Sequence, residues 1–219
     1  MVRASWPLPF FLPTCYPDGQ NRTYSLSQMI GNKIGHRLDP CINSVLKKTL
    51  GNHGNPNLFT LTGFLATLLA SFLIINDSWL LAGLAIILSG LFDLFDGVVA
   101  RTLGKVTPFG GFLDSVVDRY SDLFLLMSLL IYYLRRGDSN MVILTSFVSI
   151  GTAIIPYARS RAEAAHISCD TGLMERAERI ILLSVGVLSP WMKPVLWILA
   201  VLTHFTVLQR IYDAYKKLK

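Results

Sequence analysis

Residues 93–118 read DLFDGVVARTLGKVTPFGGFLDSVVD. Asp93 and Asp96 stand three residues apart, and Asp114 and Asp118 stand four apart. On helices, both spacings bring each pair onto one face. Long apolar runs, Trp79–Ala100 and Phe112–Leu134, enclose the stretch on both sides. Carboxylates are costly beside a bilayer, and where they occur they mark a working site. Four converging acids repel one another and are driven to protonate unless a cation joins them. Hard divalent ions favour all-oxygen cages, so Asp93, Asp96, Asp114 and Asp118 are expected to hold Mg²⁺ or Mn²⁺. Gly97 lets a flat group approach the backbone, and Ala100 keeps that face open. Arg101, two turns beyond Asp93, adds a fixed cation suited to a phosphate-rich ligand.

Working outward, further apolar runs cover Leu58–Ile75, Met141–Ala158, Leu173–Leu188 and Val195–Leu208. With 52% of its 219 residues hydrophobic, the chain is expected to be all-α and polytopic, with about six transmembrane helices. The net charge of +6 flanks apolar runs rather than filling a basic module, which excludes nucleic acid as partner and favours anionic lipid and phosphorylated substrate. Six spans put 17 of the 20 Lys and Arg residues on the side of the aspartates and both termini, leaving only Arg135, Arg136 and Lys193 opposite. The positive-inside rule then makes the aspartate side cytoplasmic.

Residues 29–56 precede the first span, and over Ile30–Leu50 apolar residues recur at helical spacing beside Lys33, Arg37, Lys47 and Lys48. This is the pattern of a juxtamembrane amphipathic helix, though a short soluble helix packed on the next element fits equally. Residues 1–28 hold four of the ten prolines and no helical period; a disordered tail is expected, with Met29 as the native start and no active-site group before it. The sequon Asn21-Arg22-Thr23 carries little weight. Cys15, Cys41 and Cys169 form no C-x-x-C, so neither a disulfide framework nor a zinc site is indicated. His53 and His204 have no sequence partner that would make a metal site, and His166 lies in a polar connection.

Written as D-x2-D-G-x2-A-R-x8-G-x3-D-x3-D, with Gly110 the second glycine, the central stretch resembles the CDP-alcohol phosphotransferase family at all eight fixed positions. An ordinary set of helix-end charges does not reproduce eight fixed positions. The resemblance implies a six-helix protomer, a homodimer, and transfer of the phosphatidyl group of CDP-diacylglycerol to a small polar alcohol with release of CMP. It implies two ions per site, with Asp118 sharing the second metal and serving as catalytic base. Asn57 and Thr60, in the matching Pro-Asn-x-x-Thr element, and Gly97, Arg101 and Thr107 match family positions that contact the CDP-lipid. Residues 57–219 would form the catalytic domain.

A second constellation, YARSRAEAAHISCDTGLMERAERI at 157–180, gathers Arg159, Arg161, Arg176 and Arg179. Read by charge alone, it is equally a positive-inside loop crossed by surface ion pairs. Its A-R-x-R-A-E and E-R-x-E-R elements resemble the branch that makes phosphatidylinositol phosphate or archaetidylinositol phosphate. There such arginines hold the phosphate of the acceptor, and inositol phosphate becomes the expected acceptor. Bacterial phosphatidylglycerophosphate synthases share parts of the pattern, which keeps glycerol 3-phosphate as an alternative. Two other classes compete. A cation or proton carrier predicts acids scattered at mid-span, and a non-catalytic lipid-binding protein has no need of four aspartates.

Overall fold

The computed structural model describes residues 56–169 and 171–219. The tail at 1–28, the amphipathic helix over Ile30–Leu50, and the position of Met29 lie outside the described residues. Within them the chain is six helices: α1 (Pro56–Ile75), α2 (Trp79–Thr102), α3 (Pro108–Arg135), α4 (Ser139–Ala164), α5 (Arg176–Leu188) and α6 (Met192–Leu218). All but one of the connections are short, so successive helices run antiparallel.

The first four helices stop in the same way. Asp77, Gly104, Gly137 and His166, each two residues past its helix, take left-handed φ values of 61°, 62°, 69° and 58°. In each case the next amide reaches back across the last turn: Ser78 to Leu73 O, Lys105 to Ala100 O, Asp138 to Tyr133 O and Ile167 to Ala162 O, at 2.9–3.1 Å. These are Schellman closures, which satisfy carbonyls that the helix end leaves over. α3 starts with equal definition. Pro108 supplies the first helical position, and the Thr107 hydroxyl accepts from the Gly110 amide at 3.0 Å.

Helix contacts close a ring in the order α1–α2–α5–α6–α4–α3 and back to α1. Leu58, Leu61, Leu65, Leu69 and Phe72 of α1 all face outward, as do Trp197, Val201 and Leu208 of α6. Inside, Thr67, Ser89, Ser128, Thr145, Thr203 and Thr206 are buried beside Ala70, Ile74, Leu129 and Leu196. Their hydroxyls are satisfied locally, Thr145 donating to Met141 O and Thr203 to Leu199 O at 2.7 Å, or across helices, as Thr67 and Ser89 share a 2.7 Å bond. Small residues allow the close approach: a Cβ on Gly151 would collide with the Thr203 hydroxyl, and one on Gly63 would lie 3.2 Å from Phe92 Cβ. Large apolar groups outside with small and hydroxylated groups inside is the arrangement of helices packed in lipid.

Four helices, α1, α2, α4 and α6, are long and apolar enough to cross a membrane. The other two complete the six helices expected from the sequence and differ from these four in charge or length. α3 has the length, but it carries Asp114, Asp118, Arg119 and Asp122 between its start and its middle. The run Leu173–Leu188 becomes a helix only from Arg176, giving 13 residues, or roughly 20 Å against a hydrocarbon core of about 30 Å. Residues 173–175 are held in the connection instead, where the Met174 amide donates to Thr206 Oγ1 at 3.1 Å. Aromatic and charged pairs finish the end of the ring remote from the aspartates: Trp79 meets Tyr132 edge-on at 4.7 Å, Arg136 pairs with Asp77, and Lys193 pairs with Asp138.

Candidate active site

Antiparallel order brings the C-terminal end of α2 and the N-terminal ends of α3 and α5 to one end of the ring. Three aspartates meet there: Asp93, Asp114 and Asp118 each offer a carboxylate oxygen, and these oxygens lie within 4.8 Å of one another. The four-residue spacing on α3 and the position of Asp93 on the facing helix produce this directly. Asp114 Oδ1 is buried without a hydrogen-bond partner among the described residues. Asp96 stands apart from this cluster. It is 7% exposed, and its Oδ2 accepts from the Thr60 hydroxyl of α1 at 2.7 Å. Three residues on a helix leave two side chains about 60° apart in direction, enough to turn Asp96 toward α1 while Asp93 faces α5.

The remaining motif residues line the rim. Arg101 folds back along α2, so that a Cβ on Gly97 would lie 3.2 Å from its Nη1; here glycine is what lets the guanidinium lie against the backbone. A Cβ on Gly110 would stand 3.0 Å from Thr107 Oγ1 and 3.5 Å from Asn57 Oδ1, so the starts of α1 and α3 converge there. Of the five expected CDP-lipid contacts, Thr60 thus reaches Asp96, Asn57 and Thr107 meet at Gly110, and Gly97 and Arg101 pack together further along α2.

The arginines of the second constellation separate into three situations. Arg176 reaches into the acid cluster, its Nη1 lying 2.6 Å from Asp93 Oδ1 and 3.0 Å from Asp118 Oδ1. Arg179 is buried, with Nη2 at 2.6 Å from Asp122 Oδ2. Arg159 pairs with Glu163 one turn along α4, at 2.8 Å. All three line a cavity of about 250 Å³ that adjoins the acid cluster through Asp118. Arg161 does not line it and is exposed, because two residues along a helix rotate a side chain by about 200°, onto the opposite face from Arg159.

In the sequence Arg119, Asp122 and Arg210 carry no expected role, and Glu175 appears only as the first acid of the E-R-x-E-R element. Asp122 sits one turn past Asp118, and its place in the same row was the available signal. Glu175 precedes α5. Arg210 comes from α6, donating from Nε to Thr171 O at 3.0 Å and from Nη1 to Ile155 O at 2.6 Å, and no local pattern could have announced it. With Arg119 the cavity wall carries five arginines against Asp118, Asp122 and Glu175, a surplus of two positive charges. Burial, and after it the charge of Glu178, holds the Glu175 carboxyl above the ordinary glutamate range, with Arg210 pulling the other way. A concave, net-positive, arginine-lined pocket opening onto an acid cluster suits a phosphorylated small molecule.

The family model for CDP-alcohol phosphatidyltransferase matches residues 54–208. The chain belongs to the CDP-alcohol phosphatidyltransferase family. It is a membrane transferase of phospholipid biosynthesis, and the carrier and passive-binder readings fall away. Archaetidylinositol phosphate synthase of Pyrococcus horikoshii is 39% identical over 174 residues, covering 78% of this chain and 90% of that protein. Phosphatidylinositol phosphate synthase of Mycobacterium tuberculosis, in the structure with CDP-DAG bound, superposes with a TM-score of 0.71 at 28% identity, covering 82% of this chain and 94% of that one. The same enzyme in complex with manganese and citrate gives a TM-score of 0.69, covering 81% and 88%.

Proposed function

We propose that this enzyme transfers the phosphatidyl group of CDP-diacylglycerol to inositol phosphate and releases CMP, at a site on the cytoplasmic side of the membrane. The observation that carries this reading is the arginine-lined cavity sharing Asp118 and Arg176 with the acid cluster. An unphosphorylated alcohol such as serine or free inositol has no use for that surplus of positive charge. The archaetidylinositol phosphate and phosphatidylinositol phosphate synthases named above support the choice of acceptor.

The donor set fits a divalent metal. Asp93, Asp114 and Asp118 present converging carboxylate oxygens with no softer ligand among them, and the buried Asp114 Oδ1 has no partner among the described residues. We assign these three, with Asp96 behind them, as holding Mg²⁺ or Mn²⁺, two ions per site; the manganese complex of the mycobacterial enzyme supports the assignment. Bound there, the cations neutralise charge on the entering and leaving oxygens of the phosphoryl transfer.

The protein's own groups do the rest. Asn57, Thr60, Gly97, Arg101 and Thr107 bind the CDP part of the donor. Arg159, Arg176 and Arg179 hold the acceptor phosphate and aim its sugar hydroxyl toward Asp118. Asp118 takes the hydroxyl proton as the new oxygen–phosphorus bond forms on the lipid side and the bond to CMP breaks. A homodimer is the assembly that the family resemblance supports.

The test is CMP release from CDP-diacylglycerol by the purified protein in nanodiscs, with inositol phosphate, glycerol 3-phosphate, inositol and serine offered in turn. Inositol phosphate is expected to be used best, and activity to vanish in EDTA and return with Mg²⁺ or Mn²⁺. Preference for glycerol 3-phosphate would overturn the acceptor assignment, and full activity in EDTA the metal assignment.

A further inference from the structure

Asp122 lies outside the eight-position pattern and one turn beyond its last aspartate, yet it is 5% exposed and lines the acceptor cavity. A carboxylate in the wall of an anion pocket is at first sight adverse, since it repels the ligand. Its contacts account for it. Oδ2 accepts from Arg179 Nη2 at 2.6 Å, and Oδ1 lies 3.8 Å from Arg176 Nε. One carboxylate therefore faces both arginines of the E-R-x-E-R element. Arg179 Nη1 leans on Met174 O at 3.4 Å, while the Nε groups of both arginines have no hydrogen-bond partner among the described residues. Asp122 and Met174 O thus fix the Arg179 guanidinium, while Arg176 is held mainly through Nη1 by Asp93 and Asp118.

A buried ion pair is weak evidence of stabilisation, because desolvation offsets most of its Coulomb energy. What such a pair does well is fix long side chains in one conformer. Arginine loses much rotamer entropy when it is immobilised, and a pocket that has already met that loss binds its ligand more tightly. We infer that Asp122 is a positioning residue for the acceptor: it orients Arg179, so that this guanidinium faces the acceptor phosphate. The inference rests on the reading of this cavity as the acceptor site.

Kinetics of Asp122→Asn, Arg179→Gln and the double variant test it. Asp122→Asn keeps the side-chain volume and removes the charge that holds Arg179. The acceptor KM is expected to rise about ten- to hundredfold, the range of a charge-assisted hydrogen bond. The KM for CDP-diacylglycerol and kcat at saturating acceptor are expected to stay within about threefold, a split that general loosening of the fold would not produce. Inorganic phosphate, used as an inhibitor competing with the acceptor, should weaken by the same factor. Because Asp122 acts through Arg179, adding Asp122→Asn to Arg179→Gln should raise the acceptor KM little further. If Asp122→Asn alone does not fold, the double variant removes both buried charges together and supplies the same comparison. An unchanged acceptor KM in Arg179→Gln would overturn the acceptor reading and this inference with it. A raised KM in Arg179→Gln beside a normal one in Asp122→Asn, or losses that multiply in the double variant, would overturn this inference alone.

Discussion

Replacing Arg176 by glutamine removes a guanidinium that touches both Asp93 and Asp118, at 2.6 and 3.0 Å. Unit charges about 4 Å apart between centres interact by about 4 kcal/mol at an effective dielectric near 20, before any cost of desolvation. Breaking a buried pair from one side costs about 3–5 kcal/mol. With the Arg176 side chain 25% exposed and that of Asp93 32% exposed, the lower end applies, about 3 kcal/mol. At about 2–4 °C per kcal/mol for a chain of this size, the melting temperature should fall by about 6–12 °C. Thermal unfolding of the detergent-solubilised protein in EDTA reads this directly. Excess Mg²⁺ should then narrow the gap between variant and wild type. The cation takes over as counter-charge for the same carboxylates, and a ligand at a hundred times its Kd stabilises by about 2.7 kcal/mol. A gap that stays constant or widens on adding Mg²⁺ would refute the idea that guanidinium and metal answer to one set of acids.

Thr60→Val should cost about 2 kcal/mol, or about 4–8 °C, because it strips the buried Asp96 carboxylate of its 2.7 Å hydrogen bond from α1, whereas Thr60→Ser should keep most of that stability. Equal melting temperatures for the two variants would discount the bond. Glu175 is held above the ordinary glutamate range, chiefly by burial, so the folded protein binds its proton more tightly than the unfolded chain does. Its stabilising contribution is complete below the unfolded value and is lost as pH rises through the folded one. Glu175→Gln should flatten the fall of melting temperature with pH in the window above the ordinary glutamate range, and parallel curves for variant and wild type would count against it.

The acid cluster was legible in part because its spacing is helical: Asp114 and Asp118 share a face by construction, and their alignment with Asp93 needs α1 to hold the consecutive antiparallel helices α2 and α3 on either side of it. What escaped sequence reasoning was the direction of each side chain around its axis. Asp96 turns to Thr60, and Arg161 turns away from the face that Arg159 presents; both follow from 100° per residue once the neighbouring helices are known. Asp122 continued a visible row but stood past the end of the eight-position pattern. Arg210 belongs to the cavity only because α6 folds back beside α4, a tertiary fact with no local trace. The shortness of α5 escaped for a related reason, since hydropathy rates residues 173–175 without knowing that Thr206 captures the backbone at Met174.

The order of contacts around the ring bears on how the protein is made. Synthesis runs from the N-terminus, so α1 to α4 emerge before α5 exists. During that interval Asp93, Asp114, Asp118 and Asp122 are already in the chain, while Arg176 and Arg179, which pair with three of them, are not. α5 docks on α2 and brings the missing counter-charges on its first turn, and α6, made last, closes the ring between α5 and α4. Neutralisation of the site therefore waits for the late helices that complete the fold, and a nascent chain halted after α4 holds its acids with the arginine partners still unmade.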